Sequence, residues 1–373
     1  MANTLELGNG KWATGKDTVL AFNDQNNNFK PLPFSFSRAS SATVVNKDGL
    51  IETAGSGEPR IDFKDNTKGA LLLEPERMNL VTNSELLNTW FTTKSSGAVI
   101  TDNYGIAPNG LQNSSRIQLA SSDYCLRGLS LSTNSTSSVY VKGIIGETIQ
   151  FGVGANVAQG GIFTFNGFWQ RIEYTYQNGS GSILFSNLQG SATATDFEAF
   201  GLQVEDNVTY ATSYIPTSGS AVTRVADYLM LKSFQNTILN NGVSPFALFL
   251  DLQNYKLESN GNTGLNFYDE SINYNTQGRA YLYNTSAGFG QGWNDNPVPF
   301  TNNSSVKLLW NYTSSTEGYI FSNGTKGGLN SGTATSGFDY LELKGQFNTL
   351  LINQILIYNT ALTEQEAIAL TTI

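Results

Sequence analysis

Between about Asn79 and Asp227, apolar side chains recur at every second position in short runs, and clusters of Gly, Ser and Asn separate the runs. A period of two is what a strand with one buried face requires, because successive side chains point to opposite sides of a sheet. In SSVYVKGIIG, ETIQFGVGAN, GIFTFNGFWQRIEYTYQ, SILFSNL and TDFEAFGLQVE the inward set is Val139, Val141, Ile149, Phe151, Val153, Phe163, Phe165, Trp169, Ile172 and Tyr174. This predicts a β-sandwich. One turn of helix is expected at its entry, from Asn83 to Leu87.

A second series of strands follows in PFALFLDLQNYKL, NTGLNFYD, RAYLYNT, SVKLLWNYT, EGYIFSNGTKGGL, FDYLELKG and NTLLINQILIYN. Asn323-Gly324 directly after an alternating run is a strong hairpin signal, since both residues tolerate positive φ. The chain ends in a helix: Thr363 and Glu366 form a capping box ahead of Ala367, Ile368 and Leu370.

The N-terminal third is less regular. Gly8, Gly10 and Gly15 punctuate residues 1–33, where Trp12, Leu20 and Phe22 are available to dock onto something. Residues 34–73 read as short strands with a hairpin turn at Asp48-Gly49. The expected fold is all-β: two tandem β-sandwich (jelly-roll) domains, 77–228 and 229–373, preceded by an extended N-terminal attachment segment, 1–76, and ending in a short C-terminal helix. The joint between the sandwiches is YATSYIPTSGSAVTRVAD, Tyr210 to Asp227, where Pro216 removes a backbone donor and Thr217, Ser218, Gly219 and Ser220 form a polar turn.

Composition narrows the chemistry. Only 14% of the 373 residues are charged and the net charge is −9. A neutral polar surface with many turns suits all-β architecture, and with no basic stripe to neutralise phosphates no nucleic-acid partner is expected. There is no histidine and one cysteine, which excludes imidazole-based catalysis, His-ligated zinc and intrachain disulfides. Cys125, between Tyr124 and Leu126, is expected as a buried small hydrophobe. No cofactor, metal ion or catalytic residue is expected. No apolar run has the length of a membrane span and the first residues lack an export signal, so a soluble chain without membrane insertion is expected.

Sugar recognition needs an aromatic face beside amide or carboxylate groups. Trp293, Asn294 and Asp295 meet that need in the Gly- and Asn-rich stretch GQGWNDN and are the glycan-binding candidates. Trp12 is the candidate anchor to a neighbouring protein, Trp169 and Trp310 are expected in cores, and Trp90 is expected to be structural. Asp196 and Glu198 share a strand face and, with Asp251, are the carboxylates nearest to a hydrolytic pattern. Their spacing is also that of a solvated face. The Asn294–Asn296 and Asn23–Asn26 clusters carry calcium-type oxygens without the ordered loop of a calcium site, and are expected as turns.

Three phrases resemble bacteriophage and prophage fibre and appendage proteins: Phe36 to Phe63 (FSRASSATVVNKDGLIETAGSGEPRIDF), Leu71 to Glu85 (LLLEPERMNLVTNSE), and Gly201 to Arg224 (GLQVE through ATSYIPT to VTR). The family usually has Thr in place of Met78. The stretch Ile355 to Glu366 is similar to the last strand and helix of laminin-G-like, concanavalin-type jelly rolls. The resemblance implies a virion structural protein, a head fibre or tail fibre made in the host cytoplasm. It further implies a homotrimer, other virion proteins as partners, and a carbohydrate-binding-like sandwich suited to a bacterial surface glycan. A tailspike-like glycan-degrading enzyme and a purely architectural capsid decoration are the alternatives. Arg38, Arg60, Arg77 and Arg224 each lie inside a resembling phrase and are expected to pair with Glu74, Glu85 or Asp227, locking the N-terminal segment against the first sandwich.

Overall fold

A computed structural model describes residues 4–23, 28–154, 160–188, 192–232, 245–257, 265–268, 279–283, 286–290, 293–301, 304–332, 340–345 and 348–373. The described residues are nearly all β, and their sheets are antiparallel throughout. Among the described residues, helix is confined to Leu87–Trp90 and the C-terminal Glu364–Thr371.

The first sandwich packs two five-stranded sheets face to face. One runs in the order Thr93–Lys94, Tyr124–Leu129, Gly181–Ser186, Thr148–Gly154, Gly161–Thr164. The other runs Val99–Thr101, Ser115–Gln118, Asp196–Asp206, Ser135–Lys142, Gln170–Tyr176. The inward residues expected from alternation make the core between them. Val139, Val141, Ile149, Phe151, Val153, Phe165 and Ile172 are buried, while Phe163 and Tyr174 pack at its margin. Edge-to-face contacts such as Phe91 on Phe185 (5.9 Å) and Phe185 on Phe197 (5.3 Å) fill it. Cys125 and Trp90 are buried there as expected. Trp169 departs from expectation: it stays half-exposed at a small satellite cluster and donates Nε1–H to the Ile106 carbonyl.

The second sandwich corrects the expected order of segments. The strands Thr4–Gly8, Thr18–Asn23, Asn28–Ser37, Arg60–Asp62 and Ala70–Leu73 do not stand apart as an attachment segment; they belong to the C-terminal sandwich. Its central strand, Asn348–Tyr358, pairs on one edge with Phe246–Leu257. On the other edge it pairs with two N-terminal strands in succession: Thr4–Gly8 takes Gln354 to Tyr358, and Ala70–Leu73 takes Leu350 to Ile352. Asn353 marks the hand-over. Its carbonyl accepts from Asn9 N (2.8 Å), and its side chain bridges Asn66 and Asp251. At the opposing Gly8 (φ +94°) a Cβ would collide with that carbonyl, so only glycine passes.

The facing layer also recruits the N-terminus, because Asn28–Ser37 pairs with Tyr228–Lys232, which pairs in turn with Tyr340–Lys344. Leu5, Leu7, Val19, Ala21, Phe34, Phe36, Leu71 and Leu73 therefore share one core with Leu248, Leu250, Leu308, Trp310, Ile352 and Ile357. The physical reason is an unfilled edge and face. The 229–373 strands alone leave the central strand with a bare edge, and the N-terminal strands supply both its hydrogen bonds and the missing apolar surface.

The apolar runs FALFLDL and LLINQILIY lack clean alternation for a related reason. Their second face is covered by the C-terminal helix, with Ala367 set against Ala247, Phe249, Leu309, Phe321 and Leu356. Thr363 and Glu366 form the expected capping box, and Asn323 (φ +48°) with Gly324 (φ +78°) makes the expected hairpin turn. The first sandwich is thus an insertion within the second, entered after Leu73 and left before Tyr228.

Candidate functional site

Entry and exit of the inserted sandwich lie side by side, and charge gathers there. Arg38, Arg60, Glu74, Arg224 and Asp227 are each at most 2% exposed. Arg60 is central: Nη1 lies 2.7 Å from Glu74 Oε2 and Nη2 lies 2.5 Å from Asp227 Oδ2. Arg38 Nη1 reaches Asp227 Oδ1 at 2.9 Å, and Arg224 Nη1 reaches Glu74 Oε2 at 2.9 Å. The two carboxylate-bearing residues are also joined through backbone, Asp227 N to Glu74 O (3.0 Å), while Glu74 N donates to Asp227 Oδ2 (2.8 Å). The remaining guanidinium donors mostly go to carbonyls, Arg38 to Ser40, Gly55 and Glu58, Arg60 to Thr43, and Arg224 to Pro75.

Burial alone pushes the Glu74 carboxyl upward, but Arg224 and Arg60, helped by two hydrogen bonds from Ser213, outweigh it and hold the group well below the usual carboxylate range. A carboxylate whose pKa is lower folded than unfolded contributes stability that is complete above its unfolded pKa, about 4.3. That contribution is lost as pH falls toward the folded value. Urea unfolding is therefore expected to lose at most about 2 kcal/mol from this group between pH 6 and pH 3. Glu74→Gln should flatten that slope, and an equally steep profile in the variant would remove Glu74 as its source.

A second polar layer covers the outer face of the inserted sandwich. By alternation Gln203 and Glu205 point away from the core toward solvent, yet both are fully buried. The segment Tyr210 to Thr217 lies over them: Glu205 accepts from Thr212 N and Oγ1, and Gln203 Oε1 accepts from Ile215 N. Asn79 closes the layer, donating to the Leu202 and Ile215 carbonyls and accepting from Val81 N and Val204 N. Arg38, Arg60 and Arg224 pair with Glu74 and Asp227 as expected. Glu85 departs from its expected arginine partner and accepts from Tyr214 and Asn113, while Arg77 approaches Glu205 at 3.9 Å. All three resembling phrases meet in this joint.

Beside it opens a cleft of about 490 Å³. Asp62 and the bend residues Lys64 and Asp65 line it from the N-terminal part, Arg171, Glu173 and Tyr210 from the inserted sandwich, and Gln253, Lys256 and Thr349 from the second sandwich. Lys256 Nζ stands 3.7 Å from Glu173 Oε1 and 5.5 Å from the Tyr210 ring centroid. Thr349 Oγ1 donates to the Tyr210 hydroxyl (3.3 Å). Burial raises the Asp62 carboxyl, against donated bonds from Lys64 N and Val45 N.

The candidates read from sequence lie elsewhere. Trp12 is committed within the chain rather than free to anchor a neighbour, because its indole packs on the second core and donates to the Gly69 carbonyl (2.9 Å). Trp293–Asn294 forms a two-residue strand against Gly332 and Ser331, and the side chains of both residues lie outside the described part. Asp295 accepts from Tyr281 Oη and Phe289 N, so both its oxygens serve local structure. Asp196 pairs with Arg116, and Glu198 accepts from Ser114 Oγ. Asp24 and Asn26 lie outside the described residues, and among those described no cluster of metal-ligating side chains occurs. Nothing in the sequence marks the cleft, since Glu173, Lys256 and Thr349 are far apart in the chain. Asp62, Glu74 and Tyr210 to Ser213 fall in stretches that stand out, but nothing in them points to a cleft.

No family model matches this chain, and no curated protein matches it. Among solved structures it is similar to a receptor binding domain (10% identity, TM-score 0.29, covering 39% of each chain). It is also similar to the CBM22-1-CBM22-2 tandem domain of Paenibacillus barcinonensis Xyn10C (9% identity, TM-score 0.25, 77% of this chain and 99% of that one). A third likeness is to Trypanosoma rangeli sialidase in complex with sialic acid (12% identity, TM-score 0.27, 95% of this chain and 65% of that one). The chain thus spans 39% of the first of these structures and 65% of the third. At such scores the functional reading rests on the chain's own residues.

Proposed function

We propose that this chain is a non-enzymatic virion appendage protein, a head or tail fibre, that presents glycan-binding β-sandwiches at a bacterial surface and assembles as a homotrimer with other virion proteins. The observation that carries the reading is the convergence of the three phage-like phrases on one buried ionic joint. Arg38 and Arg60 come from the first phrase, Glu74 from the second, and Ser213 and Arg224 from the third. Their chemistry is that of a rigid connector, which suits a protein whose task is to hold sandwiches outward. Against catalysis stands the absence of histidine and the engagement of Asp196 by Arg116, Glu74 by two arginines and Asp62 by two backbone amides.

Immunogold labelling of purified virions, with light scattering of the isolated chain, tests this reading. Label at one virion position and a mass of three chains are expected. An unlabelled virion and a monomer together would remove it. Incubation with host capsular polysaccharide should release no reducing ends; release would favour a depolymerase instead.

A further inference from the structure

We infer that copies of this chain meet, patch against patch, on an exposed apolar surface that runs from the hairpin Ala42–Ala54 onto the inserted sandwich. The inference rests on the homotrimer of the proposed reading and gives that assembly an interface. Leu50, Ile106, Leu111, Ile144, Ile145 and Phe168 are each 40–77% exposed. Close contacts make them neighbours. Leu50 Cδ1 lies 3.4 Å from where a Cβ on Gly110 would stand, and the Leu111 carbonyl accepts from Ala107 N (2.8 Å). The Ile106 carbonyl accepts from Trp169 Nε1 (3.1 Å), next in the chain to Phe168. Ile145 Cβ lies 3.6 Å from the Cβ position of Gly167.

Area separates this patch from scattered surface hydrophobes. At roughly 200 Å² for a fully exposed large apolar residue, the exposed parts of the six come to roughly 700 Å². That exceeds the roughly 300–600 Å² of the largest apolar patch on a typical monomer. It nears the roughly 800 Å² that one partner contributes to a stable interface. The loops beneath are braced, since Gly146 N donates to the Phe165 carbonyl (2.9 Å) and Phe168 N to Asn166 Oδ1 (2.9 Å). Little ordering is then left to oppose association.

Charge selects the occupant. The stretches Tyr104–Gln112, Gly143–Gly146 and Thr164–Gln170, which carry five of the six residues, contain no charged side chain. Lys142 and Glu147 flank them, as the polar rim of an interface does. A second copy brings the same net charge of −9, and like charges brought together across an interface cost several kcal/mol. Copies can therefore pack closely only through a surface free of charge, and around a symmetry axis each presents this same patch to its neighbours. None of the six side chains can hydrogen-bond, so a saccharide held here would leave its hydroxyls unpaired.

Sedimentation of the full chain across a dilution series tests the surface. Ile145→Asp and Phe168→Asp should each raise the dissociation constant between copies at least about tenfold. Ile373→Asp, at an equally exposed position on the other sandwich, should change nothing. Cross-linking gives a second readout that does not depend on the aspartate variants folding. Cys125 is buried and its thiol is pushed up to about 12 by that burial, so an introduced thiol reacts without competition. Ile145→Cys treated with a short bismaleimide should give covalent dimers on a denaturing gel, and Ile373→Cys none. An oligomer that withstands both aspartates, or an Ile145→Cys chain that yields no dimer, overturns this surface and leaves the trimer standing. A monomeric chain that floats with phosphatidylglycerol vesicles would assign the patch to a bilayer and overturn the inference. A monomer that ignores vesicles, with labelled virions, removes self-association and leaves the appendage reading in place.

Discussion

Arg60→Ala lowers the unfolding free energy by about 3–5 kcal/mol, because it strips two buried carboxylates of their common partner. Arg60 is fully buried and touches both Glu74 and Asp227. Without it the two acids keep Arg224 and Arg38 respectively as their remaining ion-pair partners, and the carbonyl of Thr43 loses its donor. Arg60→Lys should recover little, since one ammonium cannot span two carboxylates as a planar fork does. Disrupting an exposed pair, Lys326 with Glu364 at the C-terminal helix, should leave stability almost unchanged by comparison. Urea unfolding followed by tryptophan fluorescence reads the difference. An Arg60→Ala midpoint indistinguishable from that of Lys326→Ala would show that the joint is not held by its ion pairs.

Residues 229–373 expressed alone should show no cooperative unfolding transition, whereas 77–228 alone should unfold cooperatively. The inserted sandwich carries its own core, Val81 to Val204, and loses no strand of either sheet. The outer sandwich loses Leu5, Leu7, Val19, Ala21, Phe34, Phe36, Leu71 and Leu73 from its core. At about 1.5–3 kcal/mol for each large side chain, the loss is on the order of 10 kcal/mol, comparable to the whole net stability of a domain. The central strand Asn348–Tyr358 would also present a bare apolar edge, so aggregation is the expected outcome. Adding residues 4–73 as a separate chain should rescue solubility. A sharp thermal transition from 229–373 alone would mean that the N-terminal strands are decoration.

These two outcomes bear on what was legible beforehand. Alternation placed Val139, Phe151 and Ile172 in the first core, Asn323-Gly324 at a hairpin and Thr363 with Glu366 at a helix start, because each signal is local and acts within a few residues. Pairing of Arg38, Arg60 and Arg224 with Glu74 and Asp227 was legible as well, since arginines and acids recurring inside turn-rich phrases of an otherwise charge-poor chain need one another. The burial of Gln203 and Glu205 was not, because their alternation is that of a solvent face and only the returning segment at Thr212 and Ile215 covers them. Trp12 pointed toward an outside partner for the same reason: its acceptor, the Gly69 carbonyl, immediately precedes the strand Ala70–Leu73, whose position depends on residues near the C-terminus.

By itself, then, the sequence determined an all-β chain with two sandwich-forming strand series, their turns, the terminal helix and the exclusion of histidine chemistry. Hydrophobic period, turn residues and composition are properties of neighbours in the chain. Only the tertiary structure decided that one sandwich is inserted into the other, that the charged residues of three phrases share one buried joint, and that a cleft forms beside it. Those features depend on which strand fills the free edge of Asn348–Tyr358, and competition for an edge is settled by contacts between residues hundreds of positions apart.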